Sequence, residues 1–309
     1  LIERLVTEER VATRMTVVWV THDIFQARRV ADRVAFLMVN CPEYVACEYA
    51  LAHLGATRVP LAVLLGNDDH IYMMNLARCK VLIYHEKLAA RVEQMRPRLE
   101  TVAHFICVTD QPDTLPAGHH SLRALLDAYP SDWVRADVAP EHIAGIYFTG
   151  GTTGRPKGVM LSHRAWFHTY WMEMLDFGIA PFEIFVFATP MTHAGGCLIL
   201  PVLLRQGRCV VLDHFEPSLL LATIEQERAS AVLLVPTMIY ALLDHPERRW
   251  YDLSSLRNVL YGASAIAPER LKQALQVFGP VFTQFFGQTE APMALTALRR
   301  DDHVVPDPE

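Results

Sequence analysis

The segment Ile146-Tyr147-Phe148-Thr149-Gly150-Gly151-Thr152-Thr153-Gly154-Arg155-Pro156-Lys157-Gly158-Val159 gathers groups suited to gripping an anion. Gly150, Gly151, Gly154 and Gly158 let backbone N–H groups turn toward a ligand with no side chain in the way. Threonine hydroxyls and the Lys157 ammonium add donors and positive charge. The chemistry such a loop serves is the holding of a phosphate chain, hence of a nucleotide. It is not the familiar G-x-x-x-x-G-K-[ST] loop, because Pro156 precedes the lysine and Gly158 follows it, leaving no Ser or Thr placed for magnesium. The plain alternative is a glycine/threonine linker with an incidental lysine.

Three further clusters could do chemistry. Phe285-Phe286-Gly287-Gln288-Thr289-Glu290 reads by itself as a turn with a helix N-cap signal. Tyr261-Gly262-Ala263-Ser264-Ala265 ends a predicted strand ahead of the helix start Pro268-Glu269-Arg270, a βα turn at the strand end where α/β proteins place ligands. Ala188-Thr189-Pro190-Met191-Thr192-His193-Ala194-Gly195-Gly196 carries one histidine, His193, among apolar and small residues. The other histidines, including the pair His119-His120, show no ligand spacing with Cys or Asp, so a transition-metal site is not expected. No Gly-x-Ser-x-Gly elbow occurs. Trp166, Phe167, Tyr170 and Trp171 stand at helical spacing and read first as core, second as one wall of an acyl tunnel.

The elements that must position these residues alternate. Strands are predicted at Val34 to Met38, Thr57 to Leu61, Val81 to Tyr84, Ile143 to Thr149, Ile184 to Ala188, Cys209 to Leu212, Ala231 to Val235, Asn258 to Leu260 and Val281 to Phe285, with helices at Glu43 to Leu54, Ile71 to Arg78, Pro217 to Glu227 and Pro268 to Phe278. This is βαβ punctuation, and several strands are apolar throughout, as sheets covered on both faces require. The expected fold class is α/β, mostly parallel sheets flanked by helices. The proline-bearing stretch Gln111 to Pro140 breaks the rhythm and reads as a surface connection between two halves of one sheet-based lobe.

With 309 residues, 51% of them apolar, the chain can bury a large core. A net charge of −6 without a long basic run argues against nucleic-acid or membrane-surface partners. Six scattered cysteines without C-x-x-C spacing fit reduced, inert thiols, and the apolar run Ala194 to Leu204 is too short to span a bilayer. A cytoplasmic location and no stable membrane insertion are expected; the oligomeric state stays open.

The glycine loop, together with the three other clusters, resembles the motifs of the acyl-adenylate-forming (AMP-binding) superfamily, which includes acyl-CoA synthetases. The resemblance runs from about Asp32 to Asp302. It implies the large N-terminal domain of such an enzyme, truncated here, which activates a carboxylic acid, fatty or aryl, with ATP to an acyl-adenylate for transfer to CoA in the complete enzyme. By that resemblance Thr149, Gly150, Gly151, Thr152, Thr153, Gly154 and Lys157 bind the nucleotide's phosphates. Gly262, Ala263 and Ser264 line the adenine and acyl pockets. Phe286 stacks on adenine with Gly287 and Gln288 beside it, and Thr289 meets the α-phosphate. Glu290, with Thr152, holds Mg2+, and a carboxylate suits a hard cation that keeps most of its waters. His193 lies beside the substrate carboxylate. The residues implied to act in catalysis are Lys157, Glu290, Thr289 and His193. Two positions depart from the usual pattern, Gly150 where serine is frequent and Phe286 where tyrosine is commoner.

The opening differs. Met15-Thr16-Val17-Val18-Trp19-Val20-Thr21-His22-Asp23 and the following Phe25 to Val34 are similar to the strand, switch histidine and helix of ATP-binding-cassette transporter ATPases, which divides the chain into a 1–36 leader and a partial AMP-binding domain over 37–309. In that family the histidine matching His22 contacts a γ-phosphate; the alternative is a strand and helix docked on the sheet, with a junction from fusion or assembly error. The mobile C-terminal lobe of the superfamily, with its lysine, is expected to be absent and adenylation to be impaired. The rival reading is a non-catalytic nucleotide-binding or interaction fragment, joining a partner through unpaired sheet edges.

Overall fold

Arg33–Leu37 (β1) has four consecutive apolar residues, all buried, the mark of a strand covered on both faces. It starts the part of this computed structural model that is described, residues 33–128, 136–149 and 154–303. The leader read at 1–36, His22 included, lies outside these residues except for the part that forms β1. The chain folds as two compact units, one ending at Trp166 and one beginning at Phe167, each with its own sheet.

In the first unit β1 is followed by α1 (Pro42–Leu54), β2 (Thr57–Pro60), α2 (Asn67–Leu76), β3 (Val81–His85), α3 (Ala89–Met95), β4 (His104–Val108), β5 (His119–Ser121), α4 (Leu122–Ala128), β6 (Ile143–Thr149) and β7 (Lys157–Ser162). The strand order is β5-β4-β3-β1-β2-β6-β7, parallel throughout except for the antiparallel β6–β7 hairpin. Helix α1 has proline in its first turn and stops at Gly55, whose φ of 69° sends its N–H back toward the last carbonyls. Leu37, Val59, Met74, Leu82 and Val92 meet in a continuous core, each buried aliphatic side chain contributing about 1.5–3 kcal/mol.

The second unit begins within α5 (His163–Asp176) and continues as β8 (Ile184–Phe187), α6 (Ala194–Cys197), α7 (Ile199–Leu204), β9 (Arg208–Val211), α8 (Pro217–Glu227), β10 (Ala231–Leu234), α9 (Pro236–Asp244), β11 (Asn258–Tyr261), α10 (Pro268–Phe278), β12 (Phe282–Gln288) and β13 (Ala291–Leu298). Its order is β13-β12-β11-β10-β8-β9, parallel but for β13 at the edge. Proline opens α8, α9 and α10. The Glu216 carboxylate caps α8, accepting from the N–H groups of Ser218 and Leu219 at 3.0 and 2.6 Å. Val186, Leu220, Ile224, Val232 and Ile239 share the core. The fold class is therefore α/β, with two mostly parallel sheets flanked by helices.

Several expectations shift. The helix expected at 71–78 begins at Asn67, where Asp68 and Asp69 suit the positive end of the helix, and it ends before Arg78, whose φ of 54° is left-handed. The 111–140 window is more than a surface connection, because it supplies β5 to the sheet edge and then α4, and the division between units falls at residue 166. The strand expected to end at Phe285 runs on to Gln288. The aromatic group on α5 splits: Trp166 is 6% exposed, whereas Phe167 and Trp171 are 63% and 54% exposed and stack on each other 6.4 Å apart. One turn of helix carries both faces, so helical spacing alone does not assign all four residues to core.

Candidate active site

The glycine-rich segment connects β6 to β7, an antiparallel pair. Thr149 closes β6 and Lys157 opens β7, and the two are cross-strand partners. An antiparallel pair brings the ends of such a loop together without a crossover helix. Gly150, Gly151, Thr152 and Thr153 lie outside the described residues. Of the others, Thr149 is half-buried while Gly154 and Lys157 are exposed. The Arg155 guanidinium lies over the ring of Tyr72 on α2, 5.1 Å from its centroid, and so tethers the returning limb of the loop. No motif pointed to Tyr72.

At the other limb, Tyr147 on β6 reaches Arg58 on β2. The Arg58 guanidinium donates to the Tyr147 hydroxyl and is ion-paired with Glu48 on α1. Glu48 and Arg58 are 6% and 8% exposed. An arginine inside a short predicted strand, next to Val59 and ten residues after a glutamate on the preceding helix, was the available sequence signal for this pair.

In the second unit the remaining sequence-predicted residues gather at the carboxyl ends of parallel strands, the usual ligand-binding end of such a sheet. After β8, Thr189 and Thr192 are buried and His193 stands exposed immediately before α6. Although solvent reaches part of the side chain, protein crowds the His193 ring, and this desolvation lowers its pKa from the ordinary imidazole value and favours the neutral ring. The Cys197 thiol points to the His193 carbonyl at 3.6 Å.

After β11, Tyr261 and Gly262 are buried and Ala263 and Ser264 exposed. Gly262 passes so close to the adjacent strand β12 that a β-carbon there would meet the Phe285 carbonyl oxygen. Ala263 adopts φ 67°, a left-handed conformation that costs an alanine about 1–2 kcal/mol. The Tyr261 hydroxyl lies 3.1 Å from His303 Nε2.

At the end of β12, Phe286 is 59% exposed, Gly287 half-buried and Gln288 exposed. Thr289 and Glu290 form the two-residue corner to β13, with Gln288 paired to Ala291. This corrects the helix N-cap reading: the next residues, Ala291–Leu298, are a strand, so the acidic residue sits on a hairpin tip. A register irregularity between Phe286 and Gln288 changes the facing of the strand just before that tip. Glu290 is exposed there and free to meet a hydrated cation, while its suggested partner Thr152 lies outside the described residues.

Among the described residues no cluster of three or more His, Cys, Asp or Glu is gathered as for a metal ion. His119 is instead engaged within the first unit, with Nδ1 2.6 Å from the Tyr84 hydroxyl and Nε2 2.9 Å from a Glu93 carboxylate oxygen. No helix among the described residues is long and apolar enough to cross a membrane.

Residues 27–308 match the family described as AMP-binding enzyme. The match starts inside the 1–36 stretch read as a leader, and the comparisons give the ATP-binding-cassette resemblance no support. The chain is 37% identical over 277 residues to the medium/long-chain-fatty-acid-CoA ligase FadD8 of Mycobacterium tuberculosis, covering 87% of this chain and 48% of that protein. It is 32% identical over 274 residues to a feruloyl-CoA synthase of an Amycolatopsis species, covering 88% and 52% respectively. The solved amide bond synthetase McbA from Marinactinospora thermotolerans superposes with a TM-score of 0.80 at 30% identity, over 89% of this chain and 53% of that one. The chain thus spans about half the length of the curated relatives it matches.

Proposed function

This chain belongs to the AMP-binding enzyme family, and from that premise we propose that it carries the nucleotide- and acid-binding machinery of an ATP-dependent acid-CoA ligase. The observation that carries this reading is the grouping of His193, Gly262 to Ser264 and Thr289–Glu290 at the carboxyl ends of one parallel sheet. The supporting observation is the exposed Lys157 on the hairpin that bears the glycine loop.

In the proposed reaction a carboxylate oxygen attacks the α-phosphorus of ATP. The bond to the bridging oxygen breaks, pyrophosphate leaves with that electron pair, and an acyl-adenylate remains. The acid is already ionised at neutral pH, so His193 has no proton to remove and acts by orienting the carboxylate through its neutral ring. Thr149, Lys157 and the intervening loop hold the β- and γ-phosphates and spread the charge that develops on pyrophosphate. Thr289 meets the α-phosphate, Phe286 offers its exposed ring to adenine, and Gly262, Ala263 and Ser264 line the pocket beside it. Glu290 is the residue that would hold Mg2+, which neutralises phosphate charge when bound.

A fatty or aryl acid is the proposed substrate class, in keeping with the names of the fatty-acid and feruloyl relatives. CoA is the proposed acceptor, a cytoplasmic location is proposed with it, and the complete reaction is proposed for a protein of the relatives' length. The alternative is nucleotide binding without chemistry.

Calorimetric titration with a non-hydrolysable fatty acyl-adenylate mimic tests the reading. Saturable binding that weakens at least about tenfold, roughly 1.4 kcal/mol, in Lys157→Ala or Glu290→Gln is the expected result. A folded chain that ignores the mimic overturns it. Tight ATP binding that no carboxylic acid enhances, with no acid-dependent pyrophosphate release, selects the alternative.

A further inference from the structure

We propose that the buried Glu48–Arg58 pair is a positioning device for Thr149 and Lys157, the residues where β6 ends and β7 begins, acting through the hydroxyl of Tyr147. This rests on the reading of the β6–β7 loop as a nucleotide site.

Three observations carry it. First, Arg58 and Glu48 are buried charges, and a buried ion pair is weak grounds for stability because removing both ions from water offsets most of their attraction. Stability alone is therefore a poor account of a charged pair placed there. Second, the guanidinium is spent on β6: it donates to the Tyr147 hydroxyl, with its carbon 5.4 Å from the Tyr147 ring centroid and 5.9 Å from that of Trp166. The two rings themselves lie 5.4 Å apart. Third, the backbone is built to let the tyrosine reach across. Arg58 is paired with Gly145, and a β-carbon on Gly145 would lie 2.6–2.9 Å from Cε2, Cζ and Oη of Tyr147. Only glycine lets the ring fold back along β6 to that hydroxyl position.

Tyr147 stands two residues before Thr149, where the loop leaves β6, and it is the cross-strand partner of Val159 as Thr149 is of Lys157. Fixing the Tyr147 ring fixes the course of β6 over its last turn of pleat, and with it the two stems on which Thr149 and Lys157 stand. Side-chain placement within a fraction of an ångström governs how well such groups meet a phosphate. Arg155 on Tyr72 holds the returning limb more loosely, since that guanidinium is exposed.

Tyr147→Phe removes the hydroxyl and keeps the ring. Calorimetric titration of the intact chain with Mg-ATP should show about a five- to tenfold loss of affinity, the size of one ordinary hydrogen bond. Arg58→Met should lose as much, and Arg58→Lys should recover part of it. In the double variant Tyr147→Phe with Lys157→Ala, the losses should fail to multiply, because both act through the same loop. If Lys157→Ala weakens Mg-ATP but Tyr147→Phe only lowers the melting temperature, or the two losses multiply independently, the pair is merely structural and the proposal fails. If Lys157→Ala leaves Mg-ATP binding unchanged, the nucleotide reading of the loop fails and takes the proposal with it.

Discussion

The carbonyl oxygen of Phe285 fills the space that a β-carbon on residue 262 would need. The obstacle is backbone on a central strand pair, β11 beside β12, and it cannot swing aside as a side-chain tip could. Gly262→Ala should therefore lower unfolding free energy by about 1–3 kcal/mol and loosen the β11–β12 ends that carry the candidate adenine contacts. A denaturant midpoint equal to that of the parent chain would contradict this.

The next residue answers in the opposite direction. Ala263 holds φ 67°, so Ala263→Gly relieves a left-handed alanine while adding freedom to the unfolded chain. The expected net effect is a gain of up to about 1 kcal/mol, read as a rise in melting temperature. A drop would mean that the alanine methyl makes contacts worth more than the conformation costs.

Glu173 lies fully buried on the inner face of α5, with no described group hydrogen-bonded to its carboxyl oxygens, and desolvation raises its pKa well above the usual carboxylate value. The folded chain thus holds a proton that the unfolded chain releases above about pH 4.5, so this group's contribution is intact at low pH and is lost as pH rises toward the folded value. Glu173→Gln should match the parent near pH 5 and exceed its stability increasingly toward pH 8, by up to about 1.4 kcal/mol per pH unit. Urea melts of both chains at four pH values decide it, and a constant difference would place the carboxylate near solvent.

Burial pushes the thiols of Cys41, Cys47, Cys79 and Cys209 up to about 12, which leaves almost no thiolate at neutral pH. Cys197, half-buried beside the His193 carbonyl, should be the first to react with iodoacetamide under native conditions. Modification there should block the acyl-adenylate mimic, and prior addition of the mimic should slow labelling. Peptide mapping that finds another cysteine labelled first would refute the assignment.

The α/β class was legible because β1 and β10 are apolar at nearly every position and prolines mark the starts of α1, α8, α9 and α10. The glycine loop and the Gly262 bend were legible because close backbone approach leaves few residue types to choose from. Glu290 was found by motif but its setting was misjudged: a Thr-Glu pair suits a helix cap as well as a hairpin corner, and only the pairing of β13 on β12 decides between them. Phe167 and Trp171 were misassigned for a similar reason, since periodicity gives the relative angle of side chains around α5 and says nothing of which angle is covered. Arg58 and Tyr147 are separated by 89 positions and are joined only by the adjacency of β2 and β6, a tertiary fact with no local pattern.

The stacked, solvent-facing rings of Phe167 and Trp171, with Met172 and Leu175 also exposed along the same helix, bear on how the purified chain behaves at the bench. Dyes that brighten on apolar surface should bind this stripe when folding is complete. A strong dye signal would then coexist with intact near-ultraviolet dichroism, whereas a molten globule would lose the latter. Tryptophan emission should keep a red-shifted component from the exposed Trp171 and Trp250, and iodide should quench it without unfolding the protein. A thermal-shift screen on this chain would begin from a high baseline, so ligand searches are better read by calorimetry or intrinsic fluorescence.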